Sequence, residues 1–407
     1  MKRSRFVAPG WAQQGWVEVD LDAVEQNTSI MKQKAGGARV AAVVKANGAG
    51  HGVLPIAKAT MAGGADLVCV FNMDEAAQLR QLGFAGPVLV MGYVPPGDAG
   101  RVADLDIAVV VTQVEGVVAL AGAAAERGVT VAVHVKMDVG MYRAGASEDA
   151  AIALAAMVRD AASLRLEGFC THFPSADEPN ADDTERRFAR FVQASEIVAA
   201  PVRHVANTAT LLRFPHMSLE MVRPGAGLYG IAPGVTGPAA AHGLRAVMAW
   251  KTSVVQVHDV PVGASVSYGG SWTAARESRV AVVAVGYSDG YRRELSNRGA
   301  MLVHGFRAPV VGTVCMDMCL IDVTDGPEVR VGDVVVVVGE DGSSEISLAS
   351  FAEALGTIPY EVCTSLGNRM ARVYFRSGAP VLIQTALDRA PRALTAAEAV
   401  VGDGSRG

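Results

Sequence analysis

The chemistry legible in this sequence gathers where apolar runs end in cationic or imidazole side chains. Lys45 closes one such run, VAAVVKANGAGHG, and is followed by Gly48, Gly50, His51 and Gly52. An amine held in an apolar mouth is pushed toward its neutral form, the form that attacks carbonyls and makes Schiff bases. The glycines let backbone approach a ligand closely. From position alone, a solvated strand end explains Lys45 equally well. Lys136, Asp138 and Arg143 cluster in HVKMDVGMYRAG, and His172 ends FCTHF. His204 with Asn207 and Thr208 lies in HVANT, and Arg223 with Gly225 in MVRPGAG. Singly, each is an ordinary satisfied polar group. Together they put polar side chains at several consecutive run ends, which surface decoration would not arrange. A cationic, glycine-lined mouth suits a phosphorylated cofactor whose phosphate rests on backbone N–H groups.

Those run ends need strands to hold them. Short continuous apolar runs at 39–44, 66–71, 87–91, 106–111, 129–137, 164–173, 202–206 and 221–230 predict buried parallel strands. Ala-rich amphipathic stretches at 55–61, 74–82, 114–127, 147–162 and 182–198 predict the intervening helices. This beat matches a (β/α)8 barrel better than an open doubly wound sheet, and in a barrel the strand ends carry the function. After Pro233 the helical period fades. Alternating β-branched runs at 252–257, 280–285, 300–303, 310–314, 319–323, 329–331 and 333–338, with Asp-Gly and Gly-Gly turns between them, predict an antiparallel β domain. The alternating run 16–21 comes too early for the barrel and is expected to join that β domain. The expected division is a barrel over 1–237, a β domain over 238–385, and a weakly patterned, disordered tail over 386–407.

A chain of 407 residues, half of them hydrophobic, can bury two cores, and 19% charged residues exclude disorder across its length. A net charge of −5 leaves no basic field and argues against nucleic acid. No apolar run reaches the length of a membrane span, and the basic N-terminus lacks the apolar core of a signal peptide. Five scattered cysteines, an odd number, argue against a disulfide framework and for a reducing cytoplasm. Cys315 and Cys319 have no second pair at zinc spacing, so no metal is expected.

VVKANGAGHG, VKMDVGMYRAG, THFPSADE, HVANTATLLRFP, MVRPGAGLYGIAP, VSYGGSWTA, VGYSDGY, VCMD and IPYEV occur here in this order. In that order they resemble the alanine racemase family, from about residue 16 to about residue 376. The resemblance implies a fold-type III pyridoxal 5'-phosphate enzyme with a barrel and a C-terminal β domain, acting as a homodimer on a small amino acid. Lys45 matches the lysine that holds the cofactor and acts as one base. Tyr268 matches the tyrosine that acts on the opposite face, supplied by the other subunit. Arg223 matches the arginine facing the pyridine nitrogen, and His172 the histidine linking that arginine to the tyrosine. Arg143 matches an arginine near the cofactor ring oxygen and the substrate carboxylate, and Lys136 a lysine carbamylated in many members. Thr208, Gly225, Ala226 and Tyr360 match phosphate-binding positions. Met316 and Asp317 match a substrate-proximal loop from the partner, and Tyr287 and Arg293 match the entryway.

The residue types suit the reaction. Racemisation removes a proton from one face of Cα and returns one to the other, so it needs two bases. Departures from the family pattern fall at Ala49, where a phosphate-bonding tyrosine is usual, at Thr313, commonly arginine, and at Val139 and Tyr142. Tyr142 is a candidate to fill the space that Ala49 leaves. The competing readings are a racemase for serine or a larger amino acid, a fold-type III decarboxylase, and a non-catalytic cofactor-binding protein, which would need no Tyr268.

Overall fold

Two sheets organise the chain in the computed structural model, which describes residues 15–394. Contacts divide it into two units, one of residues 23–48 with 52–246, the other of residues 15–22, 49–51 and 247–394. Strand β1 (Trp16–Asp20) belongs to the second unit. The first is built on β2 (Arg39–Val43), β3 (Leu67–Val70), β4 (Val88–Val90), β5 (Ala108–Val111), β6 (Val131–Lys136), β7 (Leu164–Cys170), β8 (Val202–His204) and β9 (Met221–Val222).

These strands pair in parallel in the order β8-β7-β6-β5-β4-β3-β2-β9. The Arg223 N–H donates to the Ala206 carbonyl at 2.7 Å, bringing the two sheet ends together and nearly closing the barrel. Ala41, Leu67, Cys69, Leu89, Cys170 and Met221 fill its interior. Both faces are covered, which is why the strands read as unbroken apolar runs. Helices Val53–Ala62, Met73–Gln81, Val114–Arg127, Glu148–Asp160 and Asp182–Val198 return the chain between them. Ala99–Asp104 and Thr208–Arg213 are also helical, too short to leave a helical period in the sequence.

The second unit contains β10 (Met248–Val260), β11 (Ser265–Val266), β12 (Trp272–Thr273), β13 (Ser278–Val283), β14 (Ala300–Val303), β15 (Phe306–Pro309) and β16 (Cys319–Asp322). It continues through β17 (Val334–Asp341), β18 (Ser344–Ile346), β19 (Ala371–Arg376), β20 (Ala379–Gln384) and β21 (Arg392–Ala393). The main sheet runs β15-β14-β17-β10-β1-β19-β20-β21. Its pairings are antiparallel except β1 with β19. Trp16 sits in its core with Val373 and Ile383, all fully buried.

Two expected strands are absent. The run 310–314 makes one bridge, Val310 to Ile321, before Gly312 at φ +80° turns it away from the sheet. The run 329–331 is a loop in which Val329 is buried but Arg330 and Val331 are exposed, and one buried side chain does not hold a strand. The tail expected from residue 386 is structured at its start. The Thr385 N–H and hydroxyl donate to Asp388 at 2.8 and 2.7 Å, and β21 then pairs with β20. The rest of that tail lies outside the described residues. Among the described residues no helix is long and apolar enough to cross a membrane, and no His/Cys/Asp/Glu cluster could hold a metal ion.

Candidate active site

At the end of β2 the chain leaves Lys45 in an uncommon turn. Ala46, Asn47, Gly48 and Ala49 all adopt left-handed conformations, φ 54°, 53°, 62° and 50°. For alanine each such residue costs about 1–2 kcal/mol, strain of a kind that gathers at functional sites. Side chains hold the turn in place. Glu75 accepts from the Ala46 N–H at 2.7 Å and from the Phe71 N–H at 2.6 Å, and Asn47 accepts from the Val53 N–H at 2.9 Å. The Lys45 amine lies 5.6 Å from the centre of the Phe71 ring. Partial burial and, after it, the charge of Arg143 lower its pKa, while Glu75 opposes them. That favours the neutral, nucleophilic amine.

Arg223, leaving β9, is buried without a carboxylate partner. Its guanidinium donates to the carbonyls of His204 and Thr171, each at 2.7 Å, and of Val205 at 3.2 Å. The same group lies 2.7 Å from Nδ1 of His204. A guanidinium only donates, so His204 Nδ1 accepts and its proton sits on Nε2. From there it donates to Nδ1 of His134, 2.9 Å away. One permanent cation thus fixes the tautomers of two buried imidazoles. A Cβ added at Gly168 on β7 would lie 2.0 Å from His134 Nδ1, so the His134 ring needs a glycine there. Burial and nearby arginine charge push His204 well below the usual histidine range. Burial lowers His134 to about 4, and burial with Arg223 lowers His172 to about 3, so all three are neutral at pH 7.

The contact expected between His172 and Arg223 is electrostatic here; the imidazole bonded to Arg223 is His204. Sequence reasoning marked His204 as a strand end and gave it no role, and it passed over His134. The signal was a polar residue inside VAVHVK, a strand otherwise buried throughout its middle. Lys136, at the end of β6, is lowered chiefly by burial, with Arg223 and Arg143 adding to it. Arg143 itself is exposed, and Tyr142 beside it is 93% exposed at φ 51°, so it fills no gap left by the buried Ala49. The Thr208 hydroxyl accepts from the N–H groups of Gly225 and Gly227, each at 3.1 Å, clamping the turn that holds Ala226 to the helix 208–213. The Thr208 and Ala209 N–H groups at the start of that helix have no partner among the described residues.

In the second unit Tyr268, Met316 and Tyr287 are 73%, 53% and 43% exposed. The 315–317 loop lies on the segment after β13. Tyr287 and Ser288 N–H groups donate to the Cys315 and Met316 carbonyls, each at 3.0 Å, and Cβ at Gly286 would strike both carbonyls at 2.4 Å. Arg369, which sequence reasoning missed, ties Asp317 and Asp289, each at 2.7 Å. Arg293 starts a short turn whose carbonyl accepts from Ser296 at 2.6 Å. Tyr360, in the helix Pro359–Thr364, is half-buried, and burial pushes its phenol up.

The alanine racemase N-terminal domain matches residues 19–233 and the alanine racemase C-terminal domain residues 247–374. Alanine racemase of Desulfosudis oleivorans is 41% identical over 374 residues, covering 88% of this chain and 96% of its own. That of Halothermothrix orenii is 37% identical over 365 residues, covering 88% and 96%. The crystal structure of alanine racemase from Bacillus anthracis with bound L-Ala-P superposes with a TM-score of 0.84 at 32% identity, over 92% of this chain and 98% of that one. The enzyme from Streptomyces coelicolor A3(2) gives 0.85 at 32% identity over 90% and 99%. With both domains matched in order and relatives above a third identical over nearly their whole length, the chain belongs to the alanine racemase family.

Proposed function

We propose that this protein interconverts L- and D-alanine with Lys45 and Tyr268 as bases on opposite faces of Cα, in a homodimer whose active sites draw on both subunits. The family depends on pyridoxal 5'-phosphate. The barrel end fits that group. Arg223 is a buried cation balanced only by carbonyls and an imidazole, with Arg143 adding positive charge nearby. Such a surplus calls for an anionic partner. The open N–H groups of Thr208 and Ala209 are donors of the kind a phosphate accepts from. This uncompensated cationic pocket is the observation that carries the reading.

Lys45 would hold the cofactor through its amine, Thr208, Gly225, Ala226 and Tyr360 its phosphate, and Arg223 its ring nitrogen. Bound there, the group acidifies the Cα–H of an amino acid joined to it. Each residue then has one task. Lys45, when its amine is not holding the cofactor, would serve as the base on one face of Cα. Tyr268 takes or gives the proton on the other face. Arg223 keeps its own proton, because its pKa is far too high to protonate a pyridine, and so limits how much charge the ring withdraws. His172 and His204, both neutral, add no competing acid. Arg143 holds the substrate carboxylate, and a neutral Lys136 is the form that a carbamate-forming carbon dioxide would attack. The exposure of Tyr268, Met316 and Tyr287 is what a partner subunit would cover, with Asp317 and Arg293 in that rim.

The matches do not favour serine or larger amino acids, decarboxylation or a binding protein without activity. The test is a panel of single-enantiomer amino acids in deuterium oxide. Alanine should lose optical rotation as Cα deuterium enters, faster than any other member. A faster substrate, or loss of carbon dioxide, would overturn the assignment.

A further inference from the structure

The exposed phenol of Tyr268 contrasts with the grip on its backbone. Ser267, the residue before it, adopts φ 62° and ψ −177°, a region that is essentially glycine-only. Two features of the adjacent loop accommodate it. The Ser267 hydroxyl donates to the Thr313 carbonyl at 2.6 Å, and Gly312 is so close that a Cβ there would lie 2.6 Å from that of Ser267. Thr313 also returns a bond, its hydroxyl donating to the Tyr268 carbonyl at 2.9 Å.

The direction of every proton behind that bond is determined. Asn297 accepts from the Gly312 N–H at 2.6 Å, so its amide nitrogen faces Ser271, donating to its carbonyl at 3.1 Å and its hydroxyl at 3.3 Å. Thr313 has spent its single proton on Tyr268. Ser271 therefore donates to the Thr313 hydroxyl, 3.0 Å away. Asn297, Ser271, Thr313 and Tyr268 form a one-way chain of donors ending on the backbone of the tyrosine. Nothing in the barrel chemistry needs it.

We propose that Thr313 is a positioning residue for Tyr268, holding its backbone so that the phenol meets only one face of Cα; this rests on the reading of Tyr268 as a base. Thr313→Val keeps the shape and removes the hydroxyl, and Thr313→Ser keeps the hydroxyl. Because the two enantiomers of alanine are equal in free energy, kcat/KM in Thr313→Val must fall by one factor in both directions, about three- to tenfold. The discriminating readout is the primary isotope effect with α-deuterated L- and D-alanine on the holoenzyme. It should rise for the enantiomer whose proton Tyr268 removes and fall toward unity for the other, where Tyr268 returns the proton. Thr313→Ser should restore both values, and amide exchange at Tyr268 and Gly269 should quicken only in Thr313→Val.

Ser271→Ala, which removes the donor behind Thr313, should shift the isotope effects the same way by less, and it decides the matter if Thr313→Val does not fold. Wild-type isotope effects in these variants, or changes of one sign for both enantiomers, overturn the proposal. Tyr268→Phe separates the two claims. If it racemises normally the base assignment fails, whereas if it is dead while the Thr313 and Ser271 variants behave as wild type, only the cradle fails.

Discussion

The two ends of the proposed reaction are built in opposite ways. On the barrel side, Arg223 is 7% exposed and its guanidinium is bonded to three carbonyls and an imidazole. On the β-domain side, Tyr268 is 73% exposed and is held by its backbone alone. The first half is complete within one unit because burying a guanidinium requires every donor to be satisfied on folding. The second can afford exposure because a phenol on a strained loop waits for its surroundings. The proposed site would thus be rigid where charge is held and adjustable where a proton crosses.

The largest effect that can test this contrast is at the rigid half. Lys45→Ala should lower racemisation in both directions by about 10⁴-fold, since one amine serves as anchor and base, and should also remove the visible absorption that the bound cofactor gives wild type after dialysis. Retained absorption would move the anchor elsewhere. Next comes the sharing of the halves. Lys45→Ala and Tyr268→Ala subunits, each inactive, refolded together at equal amounts should recover about a quarter of wild-type activity, because half the dimers are mixed and each has one intact site. Verified mixed dimers with no activity would put both bases in one chain.

A smaller effect should follow Gly168→Ala. The added methyl drives the His134 ring from its place, loosening His204 and with it Arg223, at a stability cost of about 1–3 kcal/mol from overpacking. Thermal unfolding measures that cost, and kcat should fall with little change in KM for alanine. An unchanged melting temperature would mean that the imidazole has room to spare. A further effect, on stability alone, is in pH. His172 and His134 are lowered to about 3 and about 4 in the fold, so above pH 6.5 they are neutral folded or unfolded and cost nothing. As pH falls below 6.5 the unfolded chain gains protons that the fold refuses, so stability drops steadily toward pH 4. The melting temperature should therefore fall between pH 7.5 and 5, and His134→Asn, which keeps an acceptor facing His204, should lessen the fall. An equal fall in that variant would assign the effect to other groups.

The barrel was legible because parallel strands covered on both faces leave unbroken apolar runs, and all eight lie where those runs fall. Lys45 and Arg223 were legible because they end such runs. The β domain read less well: 310–314 has the letters of a strand, but its glycine at φ +80° commits it to bracing Ser267. Two-residue strands such as β11 and β21 are too short to carry a period. The pairing of His134 with His204 joins residues on different strands, and nothing local in either segment announces it. Tyr142 shows the reverse failure, an aromatic letter that suggested filling and is solvent-facing.

The barrel core also contains Cys69 and Cys170, side by side with the aliphatic chains that fill it. Burial pushes Cys69 up to about 12 and raises Cys170 as well, against the pull of Arg223. At neutral pH only on the order of one Cys69 thiol in 10⁵ would be ionised, and the thiolate is the form that attacks electrophiles. An aldehyde entering this barrel therefore meets amines but no competent core thiol, although sulfur is intrinsically the better nucleophile. The strands that shape the site also make it chemoselective. The same burial should leave these two thiols silent to alkylating reagents in the folded protein while Lys45 reacts.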